Sequence, residues 1–520
     1  PGSAVGGPRA GAGEAVLTIA YRERGGAPAA DAYSALLAID DPEASTWVAA
    51  GPDGTATVRL PRGRFHVESV VSTARPGHDV PSTSVLVNPE LAVRRDLRVA
   101  VDAAAAAPVT VTVPDPAAVG ESVAVSIART APWGRTTTSY GGAPGAVFTH
   151  HDGPAVAGGA MDTVVSAVFA RPGPAGTAVD SPLVYATAWR QRGRLVTGLR
   201  QRVTEAELAT VRAEHGAQGP GRRASKGLLI AHSPTTKTGH WLDYTRTPFA
   251  RVERYAGNVE WANELEEYAL AGEPGAEAPV DRTTQAQAPT AYEPGRRYAE
   301  RWNVAPFWAD AGLWRSRDRV IADPGLYGDQ AGRVGTSAWR RAQVALYRDG
   351  ALVGEADRLD GTVFDVPPGA NRYRLTAAAE RDFGGLATAV SAAWTFTSTA
   401  GAAEYTKQPL LAVRYAPPVD LRGRAPAGRT VALPVSVQVG PRDAAVRSLA
   451  VDVSYDGGRG WRPVRLAGAG ARRVGLLHHP AGPGAVSLRA RVADAAGDTV
   501  EHTLINADRL AGPVGAPPAS

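Results

Sequence analysis

The sequence predicts an all-β protein, a tandem array of antiparallel β-sandwich domains. Turn residues are the first indication: 58 glycines and 41 prolines stand among 520 residues. That is about 19%, against an average of roughly 12%, and no G-X-Y period accompanies it. In a chain that is 44% hydrophobic, this much punctuation implies many turns, and many turns imply many short strands. The second indication is period-two alternation of apolar and polar residues, which recurs along the whole chain. The third is that a single short stretch carries a helix start signal. At roughly 100–200 residues per domain, the length suggests three to five domains.

Residues 1–13 (PGSAVGGPRAGAG) are small and read as a linker, the chain opening on Pro1 rather than Met. The first compact unit is expected over residues 14–107, with strands at Ala15–Tyr21 and Ala35–Ile39. Asp53–Val70 alternates on both sides of Pro61-Arg62-Gly63, which reads as two strands joined by a tight turn. This D-G-T-A-T-V-x-L-P-x-G-x-F-x-V pattern resembles the transthyretin-like or carboxypeptidase-regulatory-like β-sandwich.

The second unit is expected over residues 108–294, a jelly-roll-like β-sandwich with insert loops. Its strands fall at Val109–Val113, Val123–Ile127, Val164–Phe169, Leu183–Trp189 and Lys226–Ala231. Thr204, followed by Glu205, Ala206, Glu207, Leu208 and Val211, is the helix signal. Gly216–Arg223 and Pro274–Pro289 read as loops. The third unit is expected over residues 295–398, with strands at Val344–Arg348, Val363–Val366, Arg372–Ala377 and Ala392–Thr397. Asp349-Gly350 and Pro368-Gly369 are its hairpin turns, and Tyr373, Leu375, Trp394 and Phe396 face its core at period-two spacing. After a joint at 399–407, the strands Val431–Val439, Ser448–Tyr455, Trp461–Leu466, Val486–Val492 and Val500–Ile505 suggest an Ig- or fibronectin-like sandwich within 399–510. Residues 511–520 read as a flexible tail.

The net charge is +5, and most of the basic residues are arginines without an aromatic-interleaved basic tract, so nucleic acid is not an expected partner. No stretch reaches the roughly 18 apolar residues of a membrane helix, so a membrane is not expected either. The absence of cysteine excludes disulfides, thiolate metal sites and a cysteine nucleophile.

Several constellations bear on function. Ser454-Tyr455-Asp456-Gly457-Gly458-Arg459-Gly460-Trp461 fits S-x-D-x-G-x-x-W, the Asp-box hairpin. There Ser454 and Asp456 bond turn amides, Gly458 takes a positive φ and Trp461 packs back onto the strand. One copy is present, so the reading is a structural turn rather than part of a propeller. Gly335-Thr336-Ser337-Ala338 matches a subtilisin-type nucleophile motif in letters only. Trp339-Arg340-Arg341 follows where a buried helix of small residues would, and His215-Gly216 is the only His-Gly pair. His150-His151-Asp152 and His478-His479 read as solvated loops, since adjacent strand residues point to opposite faces. Asp40-Asp41 and Asp243 are the groups that would attract calcium, but no D-x-D-x-D run exists, so no cofactor is expected. Trp241, Tyr244, Phe249, Tyr255, Trp261 and Tyr268 form one dense aromatic set, and Trp302, Trp308, Trp314 and Trp339 belong to another. From these, Trp308, Trp314, Trp241 and Tyr244 are selected as ligand-binding platforms for sugar rings or peptide. Trp308 and Trp314, among Gly, Asp and Arg, are the two expected to be most exposed.

The order Tyr298-Ala299-Glu300-Arg301-Trp302-Asn303-Val304-Ala305-Pro306-Phe307, then Tyr347-Arg348-Asp349-Gly350, Tyr373-Arg374-Leu375, Trp394-Thr395-Phe396-Thr397-Ser398 and Pro409-Leu410-Leu411-Ala412-Val413-Arg414, resembles the long C-terminal region of large secreted subtilisin-like serine peptidases (subtilases) of actinobacteria such as Streptomyces. Trp308-Ala309-Asp310, after Phe307, departs from that pattern. The family's Asp/His/Ser triad cannot be carried onto any residue of this chain. The resemblance therefore implies a non-catalytic, secreted, extracellular companion of an upstream protease catalytic domain, not itself an enzyme, that positions or binds substrate or a partner. The alternative is a stand-alone β-sandwich protein that binds cell-wall polysaccharide, another glycan or protein.

Overall fold

The computed structural model describes residues 13–233, 235–270, 279–401 and 405–511. The regular structure is strand apart from three single 3-10 turns, Pro42–Ala44, Ala103–Ala105 and Glu205–Glu207. The chain is all-β, and its strands collect into eight sheets among the described residues. Most neighbours are antiparallel. Six pairings are parallel, among them Glu14–Arg22 with Leu97–Asp102 and Leu183–Arg192 with Phe249–Gly257.

In the first sandwich, Glu14–Arg22 lies between Thr55–Pro61 and Leu97–Asp102, and this sheet covers a second one that contains Gly63–Thr73. The expected hairpin around Pro61-Arg62-Gly63 is a corner instead. Thr55–Pro61 pairs with Glu14–Arg22, whereas Gly63–Thr73 pairs with Ala32–Ala38 and Ser82–Val93. The reason is burial: Leu60 and Phe65 enter the same core from opposing sheets, which two strands of one flat hairpin would not allow. A second expectation fails for the same kind of reason. Pro368-Gly369 joins Thr362–Asp365 to Asn371–Glu380, and these strands pair elsewhere. Asp349-Gly350 is a true two-residue hairpin, with Arg348 opposite Ala351.

The expected unit boundaries are not boundaries between sheets. Ala107–Thr112, Val147–His151 and Leu199–Arg202 extend the seven-stranded sheet of the first sandwich across residue 107. Arg297–Trp302 is the edge strand of the next seven-stranded sheet, and Val334–Ser337 pairs with Pro279–Ala286, so residue 294 is no break either. Ala389–Ser398 pairs with Thr499–Ala511 inside one nine-stranded sheet. The third and fourth units therefore share a sheet and one hydrophobic core that runs from Val304 to Leu510. The expected loop at Pro274–Pro289 contains the strand Pro279–Ala286, and the joint at 399–407 contains the short strand Thr406–Lys407. Residues 274–278 and 402–404 lie outside the described residues, as do 1–12 of the linker and 512–520 of the tail.

Four cores result, and they share their walls. In Met161–Ala170, Val165 and Ala167 enter the core below the sheet while Val164 and Val168 enter the core above it. A strand buried on both faces reads as a continuous apolar run, which is how this one reads in the sequence. The helix signal at Thr204 yields one 3-10 turn, where the Glu207 carboxylate accepts from the Thr204 N–H at 2.8 Å. The chain then turns to strand over Ala209–His215, because Ala209, Val211 and Ala213 all bury at period two.

One consequence of the shared last core is measurable. Leu375 and Leu488 are both fully buried in it, one on each side of residues 399–407. Leu375→Ala and Leu488→Ala should each cost about 2–5 kcal/mol and lower the same calorimetric transition. Two separate transitions, each moved by one variant only, would show that the two units fold independently.

Candidate functional site

The four residues selected as platforms do not come together. Trp308 is buried, at 5% exposure, because the Arg414 guanidinium covers its ring at 4.4 Å. The exposure expected for it is thereby corrected. Tyr244 is also buried, stacked on Phe249 with ring centroids 3.7 Å apart, and its hydroxyl accepts from Arg251. Trp314 is half-buried on Leu313–Arg315, a strand held between Arg319–Ala322 and Thr406–Lys407. Trp241 alone is well exposed, at 43%. The most exposed aromatic is one that sequence reasoning missed: Trp47, 66% exposed on the edge strand Thr46–Ala49, edge-on to Tyr33 at 6.2 Å.

The Ser454–Trp461 turn closes through two side chains. The Ser454 hydroxyl accepts from the Gly458 N–H at 2.9 Å and the Asp456 carboxylate accepts from the Gly460 N–H at 2.9 Å. The Gly460 N–H, with the Ser454 hydroxyl that also donates to it, holds the Asp456 carboxyl below its usual range. Gly458 sits at φ +88°, and Trp461 lies 3.5 Å from where a Cβ there would stand. Trp461 is half-buried under the Arg489 guanidinium at 4.6 Å, outside the core rather than in it.

This turn leads directly into a groove of the last sandwich. The single strand expected over Trp461–Leu466 is two: Arg462–Val464 pairs with Val446–Ser454 in one sheet, and Leu466–Ala469 pairs with Arg472–His478 in the facing one. The chain changes sheets at Arg465. Gly475 makes the crossing feasible, since a Cβ there would fall 2.5 Å from Val464 Cγ1. A groove of 650 Å³ opens along the crossing, between Val453 and Tyr455 on one side and Val474 and Leu476 on the other. Leu476 is 59% exposed and Val474 is 44% exposed. Their neighbours on the outer face of the sheet are Ala432 and Pro434, both exposed, so the apolar surface continues beyond the groove.

A second constellation is closed to solvent. Lys226 and Arg333 lie on the Trp302 indole, at 2.9 and 3.6 Å from ring centroids, and the Trp302 N–H donates to Glu300 at 2.9 Å. His215 stacks on Phe249 at 4.1 Å. Burial holds both Lys226 and His215 well below their ordinary ranges. Arg251 pairs with Glu253 at 2.6 Å, both fully buried. Burial pushes the Glu253 carboxyl up, but the guanidinium overcomes this and holds it below the usual range. Alongside, the Glu267 carboxylate accepts from the Gln218 N–H, the Thr247 hydroxyl and the Asn303 amide at 2.9–3.0 Å. Burial raises the Glu267 carboxyl even so. His240 bridges Ser122 and Ser166 at 2.5 and 2.9 Å, and burial pushes its imidazole down to about 4. These groups tie sheets together. The sequence signal that could have found one of them is Arg251-x-Glu253-x-Tyr255, polar residues on the inward face of a strand.

Ser337 does not sit beside an imidazole. Its hydroxyl accepts from Arg381 at 2.9 Å and lies 3.1 Å from the Thr283 hydroxyl. His150 and His151 belong to the strand Val147–His151 rather than to a solvated loop, paired there with Ser82–Val93. His150 lines a cleft of 130 Å³ together with Asp152 and Asn88. Of the expected calcium-attracting groups, Asp40 is paired with Arg64 at 2.6 Å and Asp243 accepts from Ser225. Among the described residues no cluster of three His, Asp or Glu side chains is arranged to hold a metal ion.

No family model and no curated protein matches this chain. Among solved structures, one of Salmonella alpha-2-macroglobulin reacted with methylamine is similar at 9% identity and a TM-score of 0.16. The match covers 97% of this chain and 40% of that one, so the chain spans less than half the length of that protein. A likeness this low carries no argument about fold or function.

Asp508 gives the last sandwich a pH dependence. It is fully buried, neither carboxyl oxygen has a hydrogen-bond partner among the described residues, and burial pushes its pKa up to about 8. An unfolded aspartate titrates near 3.9. Between those values the folded chain holds the extra proton, so stability is greatest below about pH 4 and falls as pH rises towards 8, by about 1.4 kcal/mol per unit at most. Asp508→Asn should melt at increasingly higher temperature than the wild type as the buffer goes from pH 5 to pH 8.5. A constant offset across that range would show that Asp508 is ionised in the fold.

Proposed function

We propose that this chain is a non-catalytic, extracellular accessory region that binds and positions a polypeptide for the catalytic domain of a secreted subtilisin-like protease. The observation that carries the reading is the groove beside the Asp-box turn, where exposed leucine and valine line an open slot between two sheets. Here exposed aliphatic side chains are contiguous over two strands, Arg472–His478 and Thr430–Val439, as on a surface that meets a partner. The environment of Ser337 supports the non-catalytic part. Its hydroxyl accepts from the Arg381 guanidinium at 2.9 Å and lies 3.1 Å from the Thr283 hydroxyl, and among the described residues no imidazole is bonded to it to take its proton.

Trp47 favours a second reading, a stand-alone protein that binds polysaccharide. Its exposed ring on an edge strand, with Tyr33 beside it, is a surface on which a sugar ring can stack.

The two readings separate on surface variants that leave the cores intact. With unfolded casein as the probe, Leu476→Asp should weaken binding at least tenfold, and Trp47→Ala should leave it unchanged. If Leu476→Asp binds as the wild type does, the groove is not the site. Retention of the chain on insoluble glycan that is lost in Trp47→Ala would establish the second reading in its place.

A further inference from the structure

The groove's edges and charges say what kind of polypeptide it fits. We infer that its occupant is an extended strand bearing acidic side chains, added to the open edge of Arg472–His478. This rests on the groove reading above and goes further by naming the partner's chemistry.

Backbone geometry supplies the first half of the argument. Arg472–His478 is paired with Thr430–Val439 along its whole length, from Arg472 opposite Ser436 to His478 opposite Thr430. On its other side the partner strand covers only Arg472 to Gly475. The chain that would continue that partner leaves at Arg465 to join the facing sheet. Leu476–His478 thus presents a strand edge with no ladder among the described residues. Such an edge is a template for an added strand, with main-chain hydrogen bonds giving affinity and alternate side chains giving selectivity.

Charge supplies the second half. Arg462 and Arg465 both line the groove and both are exposed. Among the described residues neither makes an ion pair or a hydrogen bond with a carboxylate, whereas their neighbours do: Arg489 and Arg491 both reach Asp452, and Arg472 reaches Asp443. The nearby Asp456 is committed to its own turn. No carboxylate lines the groove, and His478 adds a further nitrogen-bearing ring to it. An incoming strand of alternating character would set apolar side chains on Leu476 and Val474, which share the outer face of the sheet, and carboxylates on the two guanidiniums. Arginine favours carboxylate partners for their matched planar geometry.

The test uses the full chain and capped, fluorophore-labelled hexapeptides in which valine alternates with glutamate, with lysine or with threonine, read by fluorescence anisotropy. The glutamate peptide should bind at least tenfold more tightly than the lysine peptide, with threonine between. Arg462→Glu combined with Arg465→Glu should reverse that order. N-methylation of alternate amides in the glutamate peptide should weaken it at least tenfold. Equal binding of all three peptides, or no effect of N-methylation, would overturn the inference while unfolded casein still bound through Leu476, leaving the groove reading standing. Failure of both casein and peptides to bind would remove the two together.

Discussion

Asn303 and its surroundings hold the array in one piece. The Asn303 amide donates to Glu267 at 2.9 Å and accepts from Gln218 at 2.7 Å and from Gln285 at 3.0 Å, while the adjacent Trp302 carries Lys226 and Arg333 on its ring. These contacts lie between the core that ends at Trp302 and the core that begins at Val304. Charges this deeply buried are tolerable only while their partners stay in place, since removing one partner strands the other at a cost of about 3–5 kcal/mol. Separating the two cores would take Asn303 from Glu267 and would pull Arg333 from the Trp302 ring and from its ion pair with Glu300. The polar contacts therefore set the geometry of the joint, and hydrophobic packing on both sides fills in around it.

Walls shared between cores have the same effect elsewhere. A sheet that buries both faces cannot move with one core without disturbing the other, and the strand Met161–Ala170 is committed in this way to two. The last core goes further, with a single nine-stranded sheet closing over what the sequence divides into two units. A groove set on such a body has a fixed shape, which favours binding by lowering the entropy lost when a partner is immobilised.

Strands were legible in the sequence because period two is a local property. Tyr373, Leu375, Trp394 and Phe396 face the core as their alternation predicts, and adjacent strands bring them into register. Sheet membership was not legible. Pro61-Arg62-Gly63 looks like a turn within a hairpin and Trp461–Leu466 like a single strand, and only the pairing of the flanking residues decides that the chain crosses between sheets in both places. Exposure failed for a related reason. Trp308 is surrounded in sequence by small and charged residues, but Arg414, more than a hundred positions away, covers it. Buried charges such as Lys226 and Glu267 were invisible because each is acceptable only beside partners from distant strands. The hydrogen bonds of the Asp-box turn were legible, their donors and acceptors all lying within eight residues, but the place of Trp461, under Arg489 and outside the core, was not. The groove it borders could not, since two of its walls come from different sheets.

The proposed polypeptide site is a single groove on the β-array. Amide hydrogen exchange on the whole chain, with and without saturating unfolded casein, tests it most directly. Binding in the groove should bring new protection at Arg462–Leu466 and Leu476–His478, with exchange elsewhere unchanged. Protection at Thr46–Ala49 alone, or spread across the cores without any at Leu476–His478, would contradict it.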